Sequence, residues 1–428
     1  MTNSLRLVLG FAVWMAAMPL AAQTSGTFTC AVTKDPAKAL TAESRYTATS
    51  PGWDLAAGPE SVQAGSCSSA KPFFFSITEP DGNYEVTLVL GGAEASTMTV
   101  KAESRRLMLY AEKILAKGSH TFVFNVNVRT DKISTGGAVR LKPREIGALD
   151  WDDKLTLEFN GDHPSVRSIS IRPANVPTVY LAGDSTVVDQ DKEPWAAWGQ
   201  MLPVFFGTGV AISNQAESGE TIKSFVGEKR LEKVMSTIKA GDSLLIQFGH
   251  NDQKSGAGYV PAETMFKDYL HSYIQQAQAK GATVILVTPM NRRNFNADGK
   301  IEQTLGDYPQ AFREVAAEQK LGLLDLNAMS KTLFETMGPD GTLHAFVHYP
   351  ANTFPEQAEE LKDDTHFNAY GAYELARCVV EAMRTQRLPL AKQLRSGIPD
   401  FNPAKPDALA NFAVPASPFV STATPYGR

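Results

Sequence analysis

The sequence contains no basic run, and with a formal net charge of −5 it is poorly suited to binding nucleic acid. It also lacks the unbroken stretch of roughly 20 apolar residues that a membrane-spanning helix needs. The apolar run Leu7 to Met18 ends at Pro19, and no cysteine follows it, which argues against a lipid-anchored lipoprotein. Cysteine is scarce, with three in 428 residues. Metal ligands do not gather either. His344 and His348 lie four apart and Asp363 and Asp364 follow, but the intervening loop is long and no Cys or further His completes a compact set. No metal and no cofactor is expected.

What is present begins with Arg6, the apolar run and Pro19-Leu20-Ala21-Ala22, which together match a secretory signal cleaved after Ala22. Residues 1–22 are therefore expected to be removed, leaving a secreted or periplasmic chain of charge −5 − 1 = −6. A hydrophobic content of 43% and a charged content of 20% describe an ordinary globular chain, and the length suggests two domains. Cys30 and Cys67 fall in the first of these. Export permits them to pair, and on the chain-entropy model such a bridge would contribute about 4 kcal/mol. The spacing leaves open whether they do. Cys378 falls among the core positions of a helical pattern and is expected to be a buried thiol.

Two textures divide the mature chain. Over residues 23–175 the apolar pattern has period two, as in Phe122, Phe124, Val126 and Val128 or Leu155, Leu157 and Phe159, and it predicts an all-β sandwich. Pro173 and Pro177 mark the boundary. Over residues 176–395 apolar strands alternate with helical patterns, the signature of a parallel sheet built from βαβ units. The expected strands are Val179 to Ala182, Val210 to Ser213, Ser243 to Phe248, Thr283 to Thr288 and Leu323 to Leu326. Phe266 to Ala277 and Ala372 to Met383 carry apolar residues at helical spacing. Residues 396–428 contain six prolines interspersed with Phe401, Phe412 and Phe419, which predicts an extended strap packed on the surface.

The chemistry is expected at the ends of the parallel strands, where open α/β sheets bind their ligands. The first strand runs into Gly183-Asp184-Ser185-Thr186, which puts a serine hydroxyl in a strand-to-loop turn. The second residue after Ser185 is Val187, so the G-x-S-x-G elbow of the α/β-hydrolases is missing and that fold is disfavoured. The second strand ends in Glu217-Ser218-Gly219 and the third in Gly249-His250-Asn251-Asp252. Gly219 can bring a backbone N–H close to a ligand, and Asn251 can aim its amide at the same crevice. Before the last helix stands Asp363-Asp364-Thr365-His366. A local turn there would let the Asp363 carboxylate accept the Nδ1–H of His366 and leave Nε2 facing a serine.

Together these blocks resemble those of the SGNH (GDSL-type) hydrolases, closest to the rhamnogalacturonan acetylesterases and their bacterial two-domain relatives. The resemblance covers about residues 177–386. It implies a flavodoxin-like doubly wound α/β sheet, preceded here by a β-sandwich similar to galactose-binding-like domains. It further implies Ser185 as nucleophile, His366 as general base, Asp363 as the residue orienting it, and an oxyanion hole made by the N–H groups of Ser185 and Gly219 with the Asn251 amide. Glu220 and Thr221 depart from the fungal pattern, in which Arg and Ser commonly follow the glycine. The implied substrate is an acetylated pectic polysaccharide. Arg292 and Arg293 are candidates for its uronate carboxylates and Trp195 or Trp198 for stacking on a sugar face, the alternatives being arginines on a solvated loop and tryptophans in a helix core. The rivals are an esterase of other acetylated glycans such as xylan, a lipase of the same superfamily, and a carbohydrate-binding protein without catalysis. No long apolar segment offers an acyl-chain groove.

Overall fold

The computed structural model describes residues 25–425 except Val32, Pro36 and Ala37. The expected signal segment, residues 1–22, lies outside the described residues.

The β-rich half is built from two antiparallel sheets. In one, Ser61–Gln63, Ser66–Ser68, Ser165–Pro173, Gly82–Leu90 and His120–Val128 lie side by side, and Gly26–Thr29 also pairs with Ser165–Pro173. In the other the order is Gly52–Asp54, Phe73–Thr78, Lys154–Asp162, Ser96–Ala102 and Arg106–Ile114. Alternate side chains fill a common core that includes Trp53, Phe73, Phe75, Leu88, Val100, Phe124, Phe159 and Ile169. Phe73 stacks on Phe159 at 5.1 Å between ring centroids and meets the edge of Trp53 at 5.5 Å. Each such ring contributes about 2–3 kcal/mol by leaving water. Cys30 and Cys67 form a disulfide, and Cys378 is a buried free thiol.

Residues 174–177 lead into a five-stranded parallel sheet of order Ala211–Asn214, Thr178–Ala182, Ser243–Ile246, Thr283–Val287, Gly322–Leu324. With the first strand inside the second, this is the flavodoxin-like order, and its reversal opens a crevice at the strand ends. Both faces are covered, so the strands read as apolar runs. Val179, Leu181, Leu245 and Ile285 point into one core, with the helices Leu326–Thr342 and Ala369–Thr385. Tyr180, Ala182, Leu244, Ile246 and Val284 point into the other, with Lys267–Ala279 and Tyr308–Gln319. The last strand is shorter than its apolar pattern suggests, because Asp325 ends it. The Asp325 side chain accepts the N–H of Ala328 and starts the helix at Leu326.

Polar contacts fasten the halves together. Arg106 Nε donates to Asp189 Oδ2 at 2.5 Å with both side chains buried, and Asn125 Nδ2 donates to the carbonyls of Thr208 and Val210. Removing one member of a buried pair of this kind typically costs about 3–5 kcal/mol. The last described segment lies extended across both halves. Phe419 packs on Phe74 at 5.5 Å, and Phe419 and Ser421 bracket Glu193 with two backbone hydrogen bonds.

Candidate active site

Thr178–Ala182 ends inside the molecule, and Gly183 follows because nothing larger fits. A Cβ there would lie 2.6 Å from Val187 Cγ2 and 2.9 Å from the carbonyl of Gln247. The Asp184 side chain then closes a turn by accepting the Thr186 N–H at 2.9 Å and its hydroxyl at 2.7 Å. This turn holds Ser185 at the mouth of the crevice with 1% of its surface exposed.

The other partner arrives on the last strand of the chain. Asp363 and His366 sit not in a free loop but on Leu361–Phe367, which pairs antiparallel with Phe346–Tyr349. Residues three apart on a regular strand face opposite sides, which would separate the two side chains. Here the register breaks, because Asp363 is opposite Val347 while Phe367 is opposite Phe346. The extra residues bulge, and the bulge brings the pair together. Asp363 Oδ1 accepts the N–H groups of Thr365 at 2.8 Å and His366 at 2.9 Å, while Oδ2 lies 3.0 Å from His366 Nδ1. Nε2 of the same ring lies 2.9 Å from Ser185 Oγ. Burial pushes the Asp363 carboxyl up, but the hydrogen bond and charge of His366 and the two N–H groups outweigh it and hold it at about 2. A carboxylate at Nδ1 favours the tautomer that carries its proton there, which leaves Nε2 to accept from the serine hydroxyl.

Two further loops close on Ser185. The N–H of Glu217 donates to Gly183 O at 3.1 Å, and Gln190 Nε2 bridges Ser185 O at 3.0 Å and Ser218 Oγ at 3.4 Å. Gly219 adopts φ +80°, the left-handed conformation that glycine accepts without strain. Among the described residues, neither the Ser185 N–H nor the Gly219 N–H is committed to a protein acceptor. Gly249 also has positive φ, at +130°, and Asp252 ties its loop down by accepting the N–H groups of Gly249 and Ile222, each at 2.8 Å. Asn251 then spends one amide N–H on Glu220 O at 3.0 Å, and the second remains for a ligand. Replacing Asn251 with alanine is expected to lower kcat about a hundredfold or more while leaving KM nearly unchanged, as steady-state hydrolysis of p-nitrophenyl acetate would show.

Residues 181–373 match the GDSL-like lipase/acylhydrolase family. Over 220 residues the chain is 42% identical to the rhamnogalacturonan acetylesterase RhgT of Bacillus subtilis (strain 168), a match spanning 51% of this chain and 94% of that protein. The chain belongs to the GDSL-like lipase/acylhydrolase family. A second relative is the uncharacterized esterase YxiM of the same organism, 29% identical over 318 residues that span 73% of this chain and 74% of YxiM. A third is the rhamnogalacturonan acetylesterase of Emericella nidulans, 29% identical over 242 residues that span 51% of this chain and 90% of that protein. As a member of a family of serine esterases, this GDSL-like hydrolase is a carboxylic ester hydrolase.

Not every expected contact residue of the hydrolase is available to a substrate. Trp198 is fully buried, with its Nε1 donating to Gln247 Oε1 at 2.9 Å, and it has no face to offer a sugar. Trp195 is 3% exposed and stands edge-on to the His366 ring at 5.8 Å, with its Nε1 on Ser421 O, so it is a wall of the site and not a stacking platform. Arg293 is engaged by Asp364 at 3.0 Å, Thr342 and Pro339 O. Arg292 stays beside the site, where it donates to His250 O at 3.1 Å and to Thr304, and it feels the charges of Asp184 and Asp363.

Other residues of the site carry no motif. Next to the loop that carries Gly219 opens a cleft of about 300 Å3, bounded by Arg144, Gln190, Trp195, Glu217, Ser218 and Thr424. Burial, followed by the charge of Glu145, pushes the Glu217 carboxyl up to about 8 against the pull of Arg144. Lys254 ends the turn that begins at Asn251, and its ammonium has no hydrogen-bond partner among the described residues. Burial first, and the Arg292 charge second, lower it to about 8.

Proposed function

We propose that this hydrolase is a secreted carbohydrate esterase that removes acetyl groups from rhamnogalacturonan through an acyl-enzyme on Ser185. The observation that carries the mechanism is the Ser185 Oγ to His366 Nε2 contact of 2.9 Å, with Nδ1 held by Asp363. A serine hydroxyl is a weak nucleophile until a neighbouring base takes its proton. As Oγ attacks the acetyl carbonyl, His366 receives that proton and Asp363 stabilises the imidazolium. Negative charge then appears on the former carbonyl oxygen. The N–H groups of Ser185 and Gly219 and the Asn251 amide meet it in a water-poor pocket, where such donors are worth most. His366 gives that proton to the sugar oxygen as the bond between it and the acetyl carbon breaks, so the sugar leaves as an alcohol and the acetyl group stays on Ser185. It next activates water, which attacks the acyl carbonyl and releases acetate, restoring Ser185.

Support for a pectic substrate comes from the relatives named as rhamnogalacturonan acetylesterases and from the cations at the rim. Arg292 and Lys254 would receive a uronate carboxylate, Lys254 with donors not yet used. Export is supported by the Cys30–Cys67 disulfide, which an oxidising compartment sustains. The two-sheet β-rich half is read as a galactose-binding-like sandwich. Acetate release from acetylated rhamnogalacturonan, acetylated xylan and long-chain p-nitrophenyl esters tests the substrate. Rhamnogalacturonan is expected to give the highest kcat/KM, and preference for xylan or for long chains would contradict the proposal. With Lys254→Met, KM for rhamnogalacturonan is expected to rise about tenfold while p-nitrophenyl acetate, which carries no carboxylate, is turned over as before.

A further inference from the structure

We propose that Lys142 and Arg144, which reach over from the β-rich half, are positioning residues of the oxyanion hole: they grip the carbonyl of Ser218 and so aim the N–H of Gly219. The proposal rests on the reading of Gly219 as an oxyanion donor. The Ser218 carbonyl and the Gly219 N–H belong to one planar trans peptide, in which the two groups point in opposite directions. Lys142 Nζ donates to Ser218 O at 2.9 Å, and Arg144 Nη2 donates to the same oxygen at 2.5 Å. An oxygen drawn toward the β-rich half turns the N–H the other way, into the hydrolase half. There Glu217 N and Gln190 hold the same loop against Gly183 and Ser185.

Two positive charges on the carbonyl also polarise the peptide, and hydrogen bonds in series strengthen one another, so the N–H becomes a better donor. Gly219, at φ +80°, lacks the Cβ that limits the backbone of other residues, so restraint from its neighbours has to hold its peptide in one orientation. The same two cations reach both neighbours of the donor peptide. Lys142 Nζ donates to the Glu220 carboxylate and Arg144 to the Glu217 carboxyl. Glu220 in turn holds Asn251 through its backbone oxygen at 3.0 Å, so another of the three oxyanion donors hangs from the same clamp.

The clamp has its own anchor. Glu145 Oε2 accepts the N–H of Lys142 at 2.8 Å, and the Glu145 carboxylate takes both Nη atoms of Arg230, at 3.0 and 2.5 Å. Arg140 N donates to Glu228 O at 2.9 Å. On this view the β-rich half completes the active site of the hydrolase half.

The test uses the full chain with Lys142→Met and Arg144→Met together, a change that keeps an unbranched apolar stem and removes both charges. Hydrolysis of p-nitrophenyl acetate is expected to lose about tenfold to a hundredfold in kcat with little change in KM. Phenylboronic acid, which becomes tetrahedral on the serine and places an oxygen where the oxyanion stands, should bind more weakly by a similar factor. The charge-keeping exchange of Lys142→Arg with Arg144→Lys should restore most of both, and it decides the matter where the methionine pair does not fold. Wild-type kcat and boronate affinity in the methionine pair, a loss carried by KM alone, or an exchange variant as damaged as the methionine pair would overturn the clamp. Ser185→Ala, run beside them, separates the two layers: if it still hydrolyses the ester, the serine reading itself has failed, whatever the clamp does.

Discussion

Ser185→Ala is expected to lower kcat for acetyl ester hydrolysis by on the order of a millionfold while the fold is retained. The effect is this large because the serine, the histidine and the carboxylate act as a unit. Without Oγ, the His366 nitrogen that stands 2.9 Å from it has no hydroxyl to activate. The hydroxyl has no partner besides His366 among the described residues, so its loss takes no other contact with it. Binding of an acetylated oligosaccharide should therefore survive, and calorimetric titration of the variant beside its turnover measures both. Hydrolysis within tenfold of wild type would place the nucleophile elsewhere.

Asp363→Asn is expected to cost about ten-thousandfold in kcat with a nearly unchanged structure. An amide at this position can present an N–H to Nδ1, which favours the tautomer that carries its proton on Nε2. That proton would then point at Ser185 Oγ, and the base would be lost. The remaining oxygen can still accept the N–H groups of Thr365 and His366, so the bulge has reason to persist. The same change carries a pH signature. The carboxyl is held at about 2 in the folded chain, below its ordinary 3.8, by His366 and the two N–H groups acting against burial. Its contribution to stability is therefore fully present above pH 4 and is lost as the pH falls through about 2, and it amounts to about 2 kcal/mol. Thermal unfolding of wild type and variant should accordingly differ near neutrality and converge near pH 2, and a difference that persists there would contradict this origin.

The parallel sheet was legible because its strands are buried on both faces, which writes them as short apolar runs ending in glycine or asparagine. Thr178–Ala182 is such a run, and Gly183 follows it for a steric reason visible once Val187 and Gln247 are in place. Asp363 and His366 were legible as partners, but the device joining them was not. A bulge on a strand depends on the register of the opposite strand, Phe346–Tyr349, and register is set by pairing across space. Trp198 could be read as a sugar platform or as core, because a tryptophan in a short helix looks the same whether it faces solvent or a core. Its burial follows from where Trp198–Met201 docks against Ala369–Thr385 and the strand-bearing core, long-range facts that local pattern does not carry. Lys142 and Arg144 stand more than 70 residues before the loop they hold, in a stretch whose only signal is a proline. Contacts between distant segments are invisible in one sequence. The residues proposed to do chemistry therefore left a clearer trace in the sequence than those proposed to hold them in place.

Labelling tests most directly whether Ser185 is the nucleophile. The wild-type chain and the His366→Ala variant are treated with a fluorophosphonate ester, digested and mapped by tandem mass spectrometry. The expected result is one adduct, on the peptide carrying Ser185, formed rapidly in wild type and very slowly in the variant. Adduct on another residue, or equal labelling of the two proteins, would contradict a histidine-activated Ser185.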